Sequence, residues 1–131
     1  MPKPDLPLLT TTVVGSHGKT SWWTAGVRLH EEGRWGPFDI EEMLAHAVDA
    51  ALRDMEEAGV DLVTDGEMRR LDGYVDSYYR VIEGIDPIPV ARRDGPWGYD
   101  QQERFRAVGA IQTPPGGLGI VKEFAYATSR T

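Results

Sequence analysis

Residues 8–66 alternate between strand-like and helix-like patterns, in the order strand, helix, strand. A β-branched run over 9–14 ends at Gly15, and a second short apolar run over 60–64 ends at Asp65 and Gly66. Between them, apolar residues recur at helical spacing over 40–58, which predicts one long amphipathic helix. Two strands joined by such a helix pair in parallel. We therefore predict an α/β fold in which these strands are neighbours and the first is buried.

The long helix carries its own start and stop signals. Asp39 lies in the expected N-cap position, and Glu42 follows as the partner in an Asp version of the capping box. Gly59 falls where a left-handed residue commonly ends a helix. The predicted buried face consists of Ile40, Met43, Leu44, Ala47, Val48, Ala51, Leu52 and Met55.

The remainder of the chain predicts shorter elements. A tyrosine-rich helix is expected over 72–83 with Asp72 as its N-cap, then a loop or short-strand excursion over 85–117, then a helix over 118–128. All four tryptophans are expected in loops. With 131 residues and a mass of 14.6 kDa, the chain fits one small domain.

The composition argues against several classes of protein. Asp and Glu number 21 against 14 Lys and Arg, a net charge of −7, which disfavours binding to nucleic acid or to anionic membranes. The chain has no cysteine, which excludes disulfides, thiolate zinc sites and a cysteine nucleophile within it. No apolar run is long enough for a membrane span, and the first residues lack the apolar core of a signal peptide. We therefore expect a cytoplasmic protein.

Two loops follow the predicted parallel strands, and sites collect at that edge of a parallel sheet. In the first, the backbone N–H groups of Gly15 and Ser16, with the Ser16 hydroxyl, are suited to hold a carboxylate; the alternative is a tight turn that needs glycine. Gly18-Lys19-Thr20 looks like the end of a phosphate-binding loop, but Val13 stands where that motif needs glycine.

The second loop, 65–70, concentrates charge. Glu67 is a candidate to bind an ammonium group or to act as a general base, and the alternative is a salt-bridged loop capping the next helix. Among the three histidines, which lack metal-ligand spacing, only His17 lies at this edge, and it is a candidate to touch ligand. His46 is expected on the surface. No catalytic residue or metal ligand is predicted in this chain.

Two segments together resemble one known family. Thr-Thr-Val-Val-Gly-Ser at 11–16 resembles the opening of the catalytic barrel of cobalamin-independent methionine synthases. The segment 58–70, in which Gly59-Val60-Asp61 precedes Asp65-Gly66-Glu67 and Arg69, resembles the second signature of that family. The spacing between the two segments also fits, and the resemblance extends over nearly the whole chain.

The resemblance implies a (β/α)8 TIM-type barrel, of which this chain is the N-terminal part. It implies that the loop of Val14, Gly15 and Ser16 holds the carboxylate of homocysteine, and that Glu67 binds its amino group. Family members also carry zinc, held by His, Glu and two Cys from later strands, which activates the substrate thiol. Their methyl donor is a methyl-folate or, in some short members, a methylated corrinoid protein.

This chain departs from the family pattern in three respects. It lacks cysteine, its 131 residues are too few to close a barrel of about 250, and His17-Gly18 replaces an aromatic residue or a Tyr/Phe-Pro pair. We therefore expect a methyltransferase component that acts on homocysteine or a similar thiol. A second polypeptide or another copy of the chain would complete the barrel, and the zinc is expected on the missing half of the barrel. The alternatives are a related transferase with another acceptor and a non-catalytic binding module.

Overall fold

The computed structural model describes residues 5–71, 76–88 and 104–131. Their helices and strands, in chain order, are α1 (Ser21–Glu31), α2 (Pro37–Glu57), α3 (Asp76–Tyr79), β1 (Glu83–Ile88), β2 (Arg104–Gln112) and α4 (Ile120–Thr128). Two compact units are distinguished. The first comprises Met1–Arg69 and Lys122–Thr131, and the second comprises Arg70–Val121.

Helix α2 forms the centre of the first unit. All eight residues of its predicted apolar face are buried, and Val48 and Ala51 are fully inaccessible to solvent. Trp23 and Val27 from α1 complete this core, together with Met68 from the loop after the second predicted strand. Because the buried residues repeat at helical spacing, the core could be predicted from the sequence alone.

The start of α2 differs from the prediction by one turn. Pro37 occupies the first helical position, where its fixed φ angle suits a helix, and Gly36 is the N-cap. Asp39 is therefore not the cap. Instead, its carboxylate accepts a hydrogen bond of 2.8 Å from the backbone N–H of Gly36. The helix ends at Glu57, and Gly59 has the left-handed conformation predicted for it, with a φ angle of 75°.

Helix α1 was not expected, and Trp22 and Trp23 lie on it rather than in a loop. The segment has no side-chain cap, so its local signal is weak. Tertiary contacts supply the missing stability, since Trp23 is buried and its indole N–H donates a 3.0 Å hydrogen bond to the carbonyl of Met68. Trp35 lies in a loop as predicted, and Trp97 lies outside the described residues.

The two predicted strands pair in parallel, as expected, but through a single bridge between Thr12 and Leu62. Asp61 takes part in the pairing, because its carboxylate accepts 2.8 Å hydrogen bonds from the N–H and the hydroxyl of Thr11. The prediction of a buried first strand is wrong: Leu9 is 85% and Val14 97% exposed. Within the described residues no apolar layer covers this segment, so side-chain hydrogen bonds replace an extended ladder.

The second unit contains an antiparallel pair of strands. β1 pairs with β2, with Asp86 opposite Arg106, which agrees with a short-strand excursion after residue 85. The predicted helix over 72–83 ends too late, because the described helix α3 stops at Tyr79 and Glu83 already begins β1; Asp72, its predicted N-cap, lies outside the described residues. The ring of Tyr79 packs against that of Phe105 at 5.1 Å, which links α3 to β2.

The described residues form a mixed helix-and-sheet structure, in agreement with the α/β class. Their one sheet has two antiparallel strands, and the partial (β/α)8 barrel stays a prediction. Helix α4 lies where a helix was expected over 118–128. None of the described helices combines the length and apolar character that crossing a membrane requires.

Candidate functional site

Two loops that are far apart in the sequence meet in the first unit. The backbone N–H of His17 donates a 2.9 Å hydrogen bond to the carbonyl of Gly66. Beside it, the hydroxyl of Ser16 donates to Oε2 of Glu67 at 2.7 Å. The structure thus brings together Ser16, His17 and Glu67, three of the five residues predicted to line a site.

The other two predicted residues lie next to this contact in the chain. Val14 is 97% exposed, so its side chain is not packed against either loop. Gly15 has a φ angle of 90°, and a Cβ atom placed on it would meet nothing within 4 Å. Both residues therefore present their backbone to solvent, as a carboxylate-binding loop requires.

The loop of Glu67 is held in a tight turn by its own side chains. The hydroxyl of Thr64 accepts from the N–H of Gly66 at 3.1 Å, and the carboxylate of Asp65 accepts from the N–H of Glu67 at 2.9 Å. Gly66 and Glu67 both have positive φ angles, 64° and 56°. Among the described residues, Glu67 is alone in combining a positive φ angle with a side chain. Strain of this kind persists where the surrounding structure enforces it, and it is concentrated at functional sites.

Gly66 also fills a narrow space between the first loop and α2. A Cβ atom on Gly66 would lie 2.7 Å from that of Ala51 and 2.8 Å from that of His17. These distances are below any normal contact, so only glycine fits. The Asp-Gly-Glu sequence therefore serves packing as well as chemistry.

His17 connects the first loop to α2. Its Nε2 atom lies 3.0 Å from Oδ2 of Asp54, and the two side chains are 32% and 63% exposed. No sequence pattern indicates that Asp54 takes part, because it lies on the polar side of α2, far from both motifs in the chain. Asp54 can be linked to the site only from the structure, in which it lies on α2 one helical turn after Ala51.

The site suits a ligand with both charges of an amino acid. Glu67, Asp65 and Asp54 supply negative charge around the loops, which favours an ammonium group. Gly15 and Ser16 are exposed in the adjoining loop, whose backbone N–H groups suit a carboxylate, while the Ser16 hydroxyl already donates to Glu67. The two halves of such a ligand would be bound by different loops.

Arg69, two residues after Glu67, contacts both α2 and α4. Its guanidinium donates to Glu41 at 2.8 Å and lies 4.8 Å from the ring centre of Tyr126, with only 10% of the side chain exposed. This arrangement agrees, for Arg69, with the alternative interpretation of a salt-bridged loop. Glu67, two residues earlier, lies instead against Ser16.

A second polar cluster holds α4 to α2. The hydroxyl of Tyr126 donates to Asp49 at 2.9 Å, and Arg130 binds both carboxylate oxygens of Asp49. The hydrogen bond from Arg130 holds the pKa of Asp49 below its usual value, although partial burial opposes it. Burial, together with the neighbouring Asp49 carboxylate, raises the pKa of Tyr126. No sequence motif predicted this cluster, because its residues lie about 80 positions apart in the chain.

Across residues 5–71, 76–88 and 104–131, no three His, Asp or Glu side chains come together as a metal site, and the chain has no cysteine.

Comparison with known proteins identifies relatives but no matching family model. Methionine synthase from Sulfurisphaera tokodaii is 35% identical over 128 residues, which is 95% of this chain and 35% of that protein. Methionine synthase from Saccharolobus solfataricus is 36% identical over 127 residues, 95% of this chain and 36% of that protein. A methionine synthase from Saccharolobus islandicus is 44% identical over 80 residues, 61% of this chain and 24% of that protein. The chain spans about a third of the length of the relatives that match most of it.

Proposed function

We propose that this chain, a homologue of the methionine synthases, supplies the amino-acid-binding loops of a methyltransferase. The acceptor would be homocysteine or a similar thiol. Val14, Gly15 and Ser16 would hold its carboxylate, and Glu67 its ammonium group. The role of the chain is to bind and orient the acceptor, so that its thiol points away from the two loops.

The observation that carries this proposal is the 2.7 Å contact between Ser16 and Glu67. An amino acid has its carboxylate and its ammonium group on one carbon, so their binding groups must lie side by side. Ser16 and Glu67 are 51 positions apart in the sequence and meet at this distance. An ionised carboxylate has room for about four hydrogen bonds, so Glu67 can keep the Ser16 hydroxyl and still accept from an ammonium group, while the backbone N–H groups of Gly15 and Ser16 are left to hold the carboxylate.

The thiol chemistry is assigned to residues beyond this chain. Zinc, which the family resemblance implies, finds no suitable donor set among the described residues. The methyl donor, a methyl-folate or a methylated corrinoid protein, is likewise proposed to bind the remainder of the barrel. Three apolar residues are almost fully exposed to solvent: Leu8 is 99%, Leu9 85% and Val14 97% exposed. Their exposure supports a partner that covers them. We propose a second polypeptide or a second copy of the chain in that position.

The proposal is tested by titrating the native assembly with L-homocysteine. Glu67→Gln keeps the size of the side chain but removes the charge that pairs with the ammonium group. We expect the Kd to rise about 10- to 100-fold, the effect of losing a charged hydrogen bond. Glu42→Gln, on an exposed position of α2, is the matched control and leaves the Kd unchanged.

Two analogues of homocysteine separate the two halves of the site. 4-Mercaptobutanoate lacks the amino group, so it should bind weakly to the wild-type protein and lose nothing further in Glu67→Gln. 3-Aminopropane-1-thiol lacks the carboxylate and should remain sensitive to Glu67→Gln. Equal binding of L-homocysteine by the wild-type protein and Glu67→Gln would overturn the assignment. Tight binding without methyl transfer to homocysteine would favour another acceptor or a binding module.

A further inference from the structure

We infer that His17 and Asp54 form a positioning pair that holds Ser16 against Glu67. His17 would then act on the substrate through Ser16 and would not touch it. This inference rests on the function proposed above, because it concerns the same two loops. It assigns a role to Asp54, which the sequence motifs do not single out.

The first support is the anchorage of the loop. A Cβ atom on Gly15 or Gly18, which flank Ser16 and His17, would meet nothing within 4 Å. His17, in contrast, donates its backbone N–H to Gly66 and lies 3.0 Å from Asp54 through Nε2. The attachment of this loop to α2 therefore falls on His17.

The second support is the protonation state that the contact requires. An ionised carboxylate only accepts hydrogen bonds, so Nε2 of His17 must carry a proton. This holds for the neutral ring and for the imidazolium ion. Asp54 thereby fixes the orientation of the ring, and with it the backbone from which Ser16 projects.

The third support is the close packing around Gly66. A Cβ atom on Gly66 would lie 2.8 Å from Cβ of His17 and 2.7 Å from Cβ of Ala51, so His17 lies in a fixed place beside α2. Ala51 and Asp54 are one helical turn apart on α2. One side of that helix thus contacts both the backbone turn of the second loop and the side chain of the first.

The pair is tested by a double-mutant cycle on the Kd for L-homocysteine, measured with the native assembly. His17→Ala and Asp54→Ala should each raise the Kd about two- to fivefold, since an exposed ion pair contributes little energy. The double variant should match the larger single effect, because both changes break one contact. His17→Gln, whose amide nitrogen can replace Nε2, should restore most of the affinity.

The control is Arg28→Ala, which breaks an exposed ion pair with Glu32 on α1 and should leave the Kd unchanged. Additive effects of the two single variants would overturn the inference. So would a loss of binding in His17→Ala with none in Asp54→Ala, because that result means direct contact with the substrate.

A second measurement separates this inference from the proposed function. The backbone N–H of residue 17, which is bonded to Gly66, should exchange faster relative to its intrinsic rate in both single variants than in the wild-type protein, without ligand. If the wild-type protein binds no L-homocysteine, the proposed function fails, while exchange still decides whether the pair holds the loop. Unchanged exchange in both variants would contradict the pair itself.

Discussion

At the scale of single residues, the site depends on backbone conformations that most side chains avoid. Gly66 needs its positive φ angle and has no room for a Cβ atom. Glu67 has a Cβ atom and nevertheless adopts a φ angle of 56°, at a cost of about 1 kcal/mol. The strained turn places the Glu67 carboxylate beside Ser16, as the proposed acceptor site requires.

Comparison of Glu67→Gly with Glu67→Ala isolates that cost. Both variants lose the carboxylate, but only glycine accepts the left-handed conformation without a clash. We therefore expect Glu67→Gly to be more stable than Glu67→Ala by about 1 kcal/mol in free energy of unfolding, measured in urea. Equal stabilities of the two variants would mean that the turn relaxes and that Glu67 is not strained.

At the scale of elements, a helix or strand could be predicted where its apolar pattern is local, and could not where its stability comes from residues distant in the chain. Helix α2 repeats its apolar face over 21 residues, so its position and its buried residues could be read directly. Helix α1 could not, because its stability comes from Trp23, which contacts Met68. The burial of the first predicted strand was predicted wrongly for a similar reason. Burying its apolar residues requires a covering layer, which a local sequence pattern does not supply.

The packing of α4 on α2 predicts a dependence of stability on pH. The pKa of Asp49 is lowered in the folded state by Arg130, so the unfolded chain binds a proton first as the pH falls. The stabilisation is complete above the unfolded pKa, about 4, and is lost as the pH drops through the folded pKa. Asp49→Asn should therefore lower the free energy of unfolding at pH 7 by about 1 to 2 kcal/mol, and by less at pH 3.

Urea denaturation of Asp49→Asn at the two pH values measures this difference, and Glu42→Gln serves as the control. A deficit that is the same at pH 7 and pH 3 would show that the Asp49–Arg130 pair does not set the pH dependence. Tyr126 gives the opposite dependence of stability on pH, at alkaline pH. Because its pKa is raised in the folded state, its contribution to stability is complete below about pH 10 and is lost as the pH rises through the folded pKa.

At the scale of the whole molecule, the meeting of the two loops was more predictable than the fold around them. The loops of Ser16 and Glu67 could be paired because strand ends in a parallel sheet share one edge, and the parallel bridge between Thr12 and Leu62 confirms that the two strands are neighbours. The closed barrel stays a prediction, because the chain spans about a third of the length of its relatives. Asp54 was missed because no local pattern links it to either loop.

The native mass of the purified material tests the proposed completion of the site. We expect an assembly larger than one 14.6 kDa chain, because Leu8, Leu9 and Val14 are exposed and need cover. Zinc analysis and denaturing mass spectrometry on the same sample should find about one zinc per assembly and a cysteine-containing partner. A metal-free monomer would contradict the proposal that a partner supplies the metal.

An NMR titration of the ¹⁵N-labelled protein with L-homocysteine tests directly whether the two loops form one site. We expect the amide signals of Gly15, Ser16, Gly66 and Glu67 to shift together and with one apparent Kd, because both loops bind one ligand. Glu67→Gln should weaken that response. Saturable shifts confined to another part of the chain, or none in the native assembly, would contradict the claim that these loops form the acceptor site.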